Sequence, residues 1–301
     1  MTIRHLRVFI AVAETERMSA AARRLYVAQP TVSQTVAEIE AHYGVRLFER
    51  LSKKLYITPD GARLLGYARH IVALFDEMEQ SLQQASDRPS LKIGATMSVG
   101  GSILPELVSR YEAGEGGFRA EVFVDNSREI ETRLLRSRLD VALVEGRVKS
   151  AELLVRPVIR DELVLLCAPG HPFAGRASVK PEELINQPFI LREEGSGTRE
   201  LFEIGLASVG ISVERKWVCH TADAILRAVE AGQGLSVISR RLAAEAAAAG
   251  RVHMAAVEGL DLTRAFSLVY HKDKFLSPAL LAFLEVCARG GEEWAGDQSS
   301  A

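Results

Sequence analysis

The stretch from Ser19 to Glu40, SAAARRLYVAQPTVSQTVAEIE, leaves the start of this chain few options: it reads as a helix, a tight turn and a second helix opening at a proline. In the second helix Val32, Val36, Ile39 and Tyr43 recur at spacings of four, three and four, which places them on one face. The other face presents Gln29, Thr31, Ser33, Gln34 and Thr35, short hydrogen-bonding side chains with little reason to be buried. They suit base edges in a major groove, although an ordinary surface helix carries the same pattern. Pro30 fits the first helical position, where a missing N–H costs nothing.

Both flanks strengthen the nucleic-acid reading. Ile3 to Ala13 is amphipathic, with Leu6, Phe9, Ile10 and Ala13 on one side, so three helices can bury a small core. After Gly44, a helix stop, Leu47 to Ile57 alternates loosely around a Ser-Lys turn, which predicts a short hairpin, or wing, with cations near its tip. Residues 1–58 carry nine Lys and Arg against five Asp and Glu, a net of +4, whereas the whole chain is −2 and the remainder therefore −6. A basic head on an acidic body is the asymmetry expected when one end meets phosphate.

Thr58-Pro59-Asp60 is a helix start: a capping hydroxyl, a proline and an acid in the first turn. Beyond it Gly61, Leu64, Ala68, Ile71, Phe75, Met78, Leu82 and Ala85 alternate spacings of three and four. Such a seam calls for a partner helix; packing on the same chain is the alternative. The helix is expected to stop near Asp87-Arg88-Pro89, since a residue before proline is biased out of the helical region.

From Leu91 short strands and helices alternate. Strands are predicted at 91–95, 120–124, 139–144, 163–168, 189–191, 213–218, 235–239 and 266–271. Helices are predicted at 102–113, 127–137, 198–209, 222–230, 240–249 and 278–288, with a frayed tail from Gly290. The alternation argues α/β layers with largely parallel sheets. This is more chain than one small sheet needs, and crossovers near Asp161 and Ala265 suit two lobes joined by a hinge.

Within this body the run Arg192 to Arg199, REEGSGTR, concentrates the chemistry. Between a strand and a helix, Gly195 and Gly197 let backbone N–H groups converge at a helix start. Ser196 and Thr198 add hydroxyls and Arg199 adds charge, a constellation that binds anions; helix capping by Ser196 or Thr198 is the plainer alternative. Opposite it lie Thr96, Ser98, Gly100, Gly101 and Ser102 after the first strand, and Asn126 and Ser127 at the next helix start. Each is a ligand contact or a cap. His220 sits where a strand of the second lobe meets its helix, lining the cleft or merely packing there.

Other chemistries fit poorly. Ser196, His220 and Asp223 suggest a nucleophilic triad, but the elbow motif needs glycine two residues either side of the serine, and Glu194 and Thr198 stand there. No catalytic residues are expected. No His, Cys and acid cluster has metal spacing, and neither a phosphate loop nor a dinucleotide fingerprint is present, so no metal or cofactor is expected. Cys167 and Cys287 lie in apolar runs, while Cys219 is a candidate redox-sensing thiol without a near resolving partner. Three cysteines are too few for a secreted disulfide framework. With 48% hydrophobic and 25% charged residues the chain can bury a real core. No apolar stretch reaches membrane-spanning length and no signal-peptide pattern opens the chain, which points to the cytoplasm and away from an exported solute-binding protein.

The head resembles the winged helix-turn-helix of LysR-type transcriptional regulators. The matching pieces, LRVFIAVAE, SAAARRL, QPTVSQTVAEIE, GVRLFER and LYITPDG, stand in the family's order and spacing. PGHPFA (169–174) and AGQGLSVIS (231–239) are similar strings in the body. Ile39-Glu40 replaces the family's usual Leu-Glu. The resemblance implies an α/β protein with a winged helix-turn-helix at 1–58 and a long linker helix at 59–88. It further implies a bilobal, periplasmic-binding-protein-like effector domain at 89–290 and a flexible tail at 291–301. Gln29, Pro30, Thr31, Ser33 and Gln34 would approach bases, and Arg50, Lys53 or Lys54 the backbone or minor groove. Double-stranded operator DNA, a small anionic effector and a second copy of the chain are the implied partners. The linker helices would pair two chains into a homodimer, holding two recognition helices about one DNA turn apart, and two dimers would form a homotetramer. The GSGTR string is most similar to branches serving sulfur, carbon-fixation or related genes.

Overall fold

A computed structural model describes residues 1–51, 54–83 and 90–297. The chain divides into two compact units, one of residues 1–87 with 273–275, the other of residues 88–272 with 276–301.

The first unit holds α1 (Ile3–Thr15), α2 (Met18–Arg24), α3 (Gln29–Tyr43), the hairpin β1 (Phe48–Leu51) and β2 (Lys54–Ile57), and α4 (Pro59–Gln83). Leu6, Phe9 and Val12 meet Ala21, Ala22, Val32, Val36 and Ile39 in one core, closed by Leu47, Phe48, Leu55 and Ala68. Full burial of each large side chain there contributes about 1.5–3 kcal/mol, so the apolar face of α3 decides which face stays outside. Glu40 Oε1 accepts hydrogen bonds from the Leu47 and Phe48 N–H groups at 2.7 and 3.4 Å, tying the end of α3 to the wing. Thr58 Oγ1 accepts from the Gly61 N–H at 3.0 Å, as a cap should, and donates to the Arg46 carbonyl at 2.7 Å.

Three details differ from expectation. Thr35 is buried with the apolar face, while Tyr43 is exposed, its ring edge-on to His42. Pro30 is the second helical residue, after Gln29, where its missing N–H is equally harmless. The wing pairs Phe48 with Ile57 through Leu51 with Lys54. Its expected tip, Ser52-Lys53, lies outside the described residues, as do the Arg50 and Leu82 side chains, Ala85 and the expected helix stop at Asp87-Arg88-Pro89.

The seam of α4 is the larger correction. Ala68 is fully buried in the head core with Leu64, Leu65 and Val72 against it. Phe75 lies beneath the Arg7 guanidinium, 6.0 Å from ring centre, and Arg7 reaches Asp76 at 2.5 Å. A Cβ on Gly61 would come within 2.3 Å of the Leu47 carbonyl oxygen. The first residues of the assigned seam therefore pack on their own head. The exposed apolar stripe is Tyr67, Ile71, Leu74 and Met78, again spaced four, three and four. Two stripes on one helix satisfy the same spacing rule, and α1 covers the first.

The second unit runs β3 (Ser90–Thr96), the single turn α5 (Met97–Gly100), α6 (Leu104–Glu112), β4 (Arg119–Asp125), α7 (Ser127–Leu135) and β5 (Val141–Glu145). It continues through β6 (Leu153–Cys167), β7 (Ser178–Val179), a 3₁₀ turn at Pro181–Leu184, β8 (Pro188–Arg192), α8 (Gly197–Ser208), β9 (Glu214–Cys219) and α9 (Ala222–Glu230). β10 (Ser236–Ser239), α10 (Arg240–Ala248), β11 (His253–Val257), β12 (Thr263–His271) and α11 (Pro278–Asp297) complete it, α11 continuing beyond Ala288 into the segment expected to fray. Strand order is β4-β3-β5-β12-β6-β11-β7, with β10 also on β6 and β8 paired with β9. Among the described strands β3-β4, β3-β5, β7-β11 and β8-β9 are parallel, as is an isolated bridge from Phe189 to Leu235; every pairing made by β6 or β12 is antiparallel, so the sheets are mixed rather than largely parallel.

Those two strands form the hinge. β6 has fifteen residues, and its first half, exposed at most positions and interrupted by Pro157, does not read as a strand in sequence. Ile159 packs in the first-lobe core with Ile93, Leu143, Phe266 and Phe283, whereas Leu163 packs in the second with Phe189, Phe202 and Val257. The chain thus changes lobe across Asp161, which lies opposite Arg264 in the ladder.

Candidate nucleic-acid interface and interlobe cleft

On the head, Gln29, Pro30, Thr31 and Gln34 are exposed and Ser33 is half-buried along the first turns of α3. Gln34 Nε2 donates to Glu38 Oε1 at 3.0 Å, and Glu38 meets His5 Nε2 at 3.2 Å. The hydrogen bonds from Gln34 and then His5 hold the Glu38 carboxyl below its ordinary value. Glu38, which periodicity alone did not single out, thus steers the Gln34 amide. Lys54 is exposed, 3.8 Å from Glu16. Arg4, Arg17, Arg23 and Arg46 are exposed and form no ion pair among the described residues, so the head keeps cationic surface in hand.

In the body, the strand-to-helix turns of both lobes converge on the hinge. Arg264 Nε donates to Asp161 Oδ2 at 2.7 Å, Nη1 to Thr198 Oγ1 at 2.9 Å and Nη2 to Ser98 Oγ at 3.2 Å. Ser239 Oγ donates to the other Asp161 oxygen at 2.6 Å. Ser98 Oγ lies 3.1 Å from Glu145 Oε1, and Thr96 Oγ1 accepts from the Glu145 N–H at 3.2 Å. At the end of β8, Arg192 grips Glu193 through two hydrogen bonds of 2.8 and 2.9 Å. All of these side chains are buried; the Arg264–Asp161 and Arg192–Glu193 charges are paired, whereas Glu145 forms no ion pair among the described residues.

The lobes meet at two helix starts. Ser127 Oγ donates to the Glu145 carbonyl at 3.1 Å and accepts from the Gly197 N–H at 3.3 Å. The Arg128 N–H donates to the Gly195 carbonyl at 3.3 Å, and the Arg128 and Glu194 side chains pair at 3.0 Å. Beside this contact a cavity of about 370 Å³ opens between α7 and α8, with Ser127 and Ser196 on its walls together with Arg128, Arg147, Lys149 and Arg199 and the carboxylates Glu131, Glu194, Glu200 and Glu203. Lys149 and Arg199 are engaged by Glu200 and Glu203, at 3.0 and 2.7 Å.

Thr96, Ser98, Ser127, Ser196, Gly197, Thr198 and Arg199 are therefore brought together. Two others go elsewhere. His220 is exposed, and it is Thr221 that caps α9, accepting the Ala224 N–H at 3.3 Å. Gly100 serves packing, since a Cβ there would meet Val124 at 2.8 Å. Asn126 caps α7 through the Glu129 N–H at 3.1 Å. Ser196 occupies the N-cap position of α8 without making a side-chain cap; it is 2% exposed, and its Oγ has no hydrogen-bond partner among the described residues. Cys219 is half-buried, and burial raises its thiol rather than favouring thiolate. Sequence reasoning missed Glu145 and Arg264, met Asp161 only as a crossover, and gave Arg192 and Glu193 no separate role within REEGSGTR; the one signal was an ionisable residue ending or interrupting an apolar strand.

Residues 3–62 match the family described as bacterial regulatory helix-turn-helix protein, lysR family, and residues 84–292 match the LysR substrate binding domain. The uncharacterized HTH-type transcriptional regulator YeiE of Escherichia coli strain K12 is 34% identical over 95% of this chain and 97% of its own. The RuBisCO operon transcriptional regulator of Allochromatium vinosum is 32% identical over 95% of each chain. Among solved structures, full-length OxyR from Pseudomonas aeruginosa has a TM-score of 0.65 at 22% identity, covering 97% of this chain and 95% of that one. The CcmR regulatory domain of Synechocystis, in complex with 2-PG, has a TM-score of 0.64 at 21% identity, covering 68% of this chain and 98% of that one. Winged head, linker helix, two lobes on a shared hinge and the full-length relatives agree: the chain belongs to the LysR family of helix-turn-helix transcriptional regulators.

Proposed function

We propose that this regulator reads operator DNA with Gln29, Pro30, Thr31, Ser33 and Gln34, contacts phosphates with Arg50, Lys53 and Lys54, and answers to a small oxyanion bound between its lobes. The unpartnered Ser196 hydroxyl carries the effector reading. It sits at a helix N-terminus, where free N–H groups favour negative charge. Thr96, Ser98, Ser127, Gly197, Thr198 and Arg199 support the same cleft. The CcmR domain of like fold was solved with 2-PG. We assign residues 1–58 to DNA, 59–88 to pairing, 89–290 to the effector and 291–301 to a tail, with no enzymatic step and a cytoplasmic setting. Among the described residues no helix is long and apolar enough to cross a membrane.

A screen of sulfate, thiosulfate, phosphate and short carboxylates by thermal shift tests the effector reading. A ligand at about a hundred times its Kd adds about 2.7 kcal/mol of stability; a saturating rise that Ser196→Val removes supports the cleft, and no rise with any anion rejects it.

Gln34→Ala is expected to weaken the cognate operator by about 1–3 kcal/mol while random DNA is held as before. Gel-shift titrations on both duplexes check this, and equal loss on both would make Gln34 structural.

Assembly rests on the Tyr67, Ile71, Leu74 and Met78 stripe, exposed along α4. The edge strands β4 and β9 also expose Val122, Val124, Trp217 and Val218, giving the effector domain a second surface for building a tetramer. Ile71→Asp is expected to split the dimer, because a charge in such a seam has no partner. Sedimentation velocity reads the result, and an unchanged oligomer would reject the stripe.

A further inference from the structure

Two guanidinium groups and three carboxyl groups are sealed where the lobes meet. Arg264 pairs with Asp161 at 2.7 Å and Arg192 with Glu193 at 2.8 Å, which balances four of them. Glu145, at the end of β5, is the fifth. It is 2% exposed; Ser98 serves its Oε1, and its Oε2 has no hydrogen-bond partner among the described residues. Three of the five N–H donors of Arg264 go to Asp161, Thr198 and Ser98, and none is bonded to Glu145 Oε2. An uncompensated buried carboxylate costs several kcal/mol, a cost the group escapes by keeping its proton. Ser196 Oγ is the second orphan of this contact; the N–H of the next residue, Gly197, donates to Ser127 Oγ, which donates in turn to the main-chain carbonyl of Glu145.

We propose that Glu145 is held as a neutral carboxylic acid, and that it and Ser196 supply two hydroxyl donors for a fully deprotonated oxyanion, so that effector binding is linked to a proton. The proposal rests on the oxyanion reading of the cleft and names the ligand's protonation state. The groups facing Glu145 are Thr96 on β3, Ser98 on α5, Ser127 on α7, Arg264 on β12 and Arg192 on β8, the last two already paired with Asp161 and Glu193. Burial raises the Glu145 carboxyl, against the opposing pull of Arg264, Arg192 and Ser98. The sign follows: stability from the neutral form is present below the ordinary carboxyl range and lost as pH rises through the raised value. Above that value the donor becomes a charge that repels the ligand, and affinity falls about tenfold per pH unit.

Sulfate is a suitable probe, because it does not titrate between about pH 5.5 and pH 8.5, so any pH dependence there belongs to the protein. Calorimetric titrations of wild type are expected to show affinity falling as pH rises, and Glu145→Gln, which keeps an N–H donor without a titrating proton, to show a flat profile. Infrared spectroscopy at neutral pH is expected to show a protonated-carboxyl C=O band that Glu145→Gln lacks. An identical pH slope in the variant, absence of the band, or wild-type preference for proton-bearing phosphate over sulfate would each overturn the proposal. Should Glu145→Gln fail to fold, loss of the wild-type band on alkaline titration decides alone. A band without any sulfate binding would instead reject the oxyanion reading and leave the neutral carboxyl standing.

Discussion

Arg264→Ala is expected to lower the unfolding free energy of the effector domain by about 3–5 kcal/mol, the usual cost of stranding one partner of a buried ion pair. The Arg264 side chain is 4% exposed and its partner Asp161 1%. Four elements lean on this guanidinium at once: β6 through Asp161, α8 through Thr198, α5 through Ser98, and its own strand β12. Truncation leaves a carboxylate with, among the described side chains, only Ser239 to bond it and removes the link between Ser98 and Thr198, on opposite lobes. Denaturant melts of the full chain measure the loss. Adding Asp161→Asn removes the stranded charge and is expected to recover a substantial part of the stability. A single-variant loss below about 1 kcal/mol would place the pair among ion pairs of no structural consequence.

The hinge residues behind that prediction were nearly invisible in sequence, and the reason is physical. The head is legible because its information is local: Val32, Val36 and Ile39 repeat at helical spacing, and Thr58-Pro59-Asp60 caps the next helix within four residues. Serines, threonines and glycines of the cleft are legible too, since GSGT stands as one string at a helix start. Asp161 and Arg264 are 103 residues apart, and each looks like an ordinary charge in a strand until β6 and β12 are laid side by side. Periodicity likewise places a residue on a helix face without saying what covers that face. Tyr43 lies past the end of the head core, and α4 carries two stripes of equal spacing, of which tertiary packing covers only one. Ser196 shows the opposite limit: sequence offered capping or ligand binding, and the structure shows only that its hydroxyl makes no side-chain cap.

Gly197→Ala is expected to weaken effector binding by ten- to a hundredfold, because closure of the lobes passes through this glycine. A Cβ there would lie 2.7 Å from the Glu145 carbonyl oxygen, 3.0 Å from Ser127 Oγ and 3.2 Å from the Gly146 Cα. Two of those three neighbours are backbone, and all three belong to the other lobe, so no rotamer change can make room. The approach is reciprocal: Gly146, at φ +91°, would place a Cβ 2.9 Å from the Gly197 Cα. Relief requires the lobes to part, which lengthens the Gly197 N–H to Ser127 and Arg128 N–H to Gly195 hydrogen bonds, both 3.3 Å already. Overpacking of this kind costs about 1–3 kcal/mol, and every 1.4 kcal/mol charged to the closed state is a tenfold loss for a ligand that binds only that state. The large cores of both lobes lie away from the contact, so the ligand-free melting temperature is expected to move much less than the affinity. Anion titrations of wild type and variant, with a ligand-free melt of each, separate the two effects. Unchanged affinity would show that the glycine pair is not the closing contact, while a fall in stability as large as the fall in affinity would make it a folding contact instead.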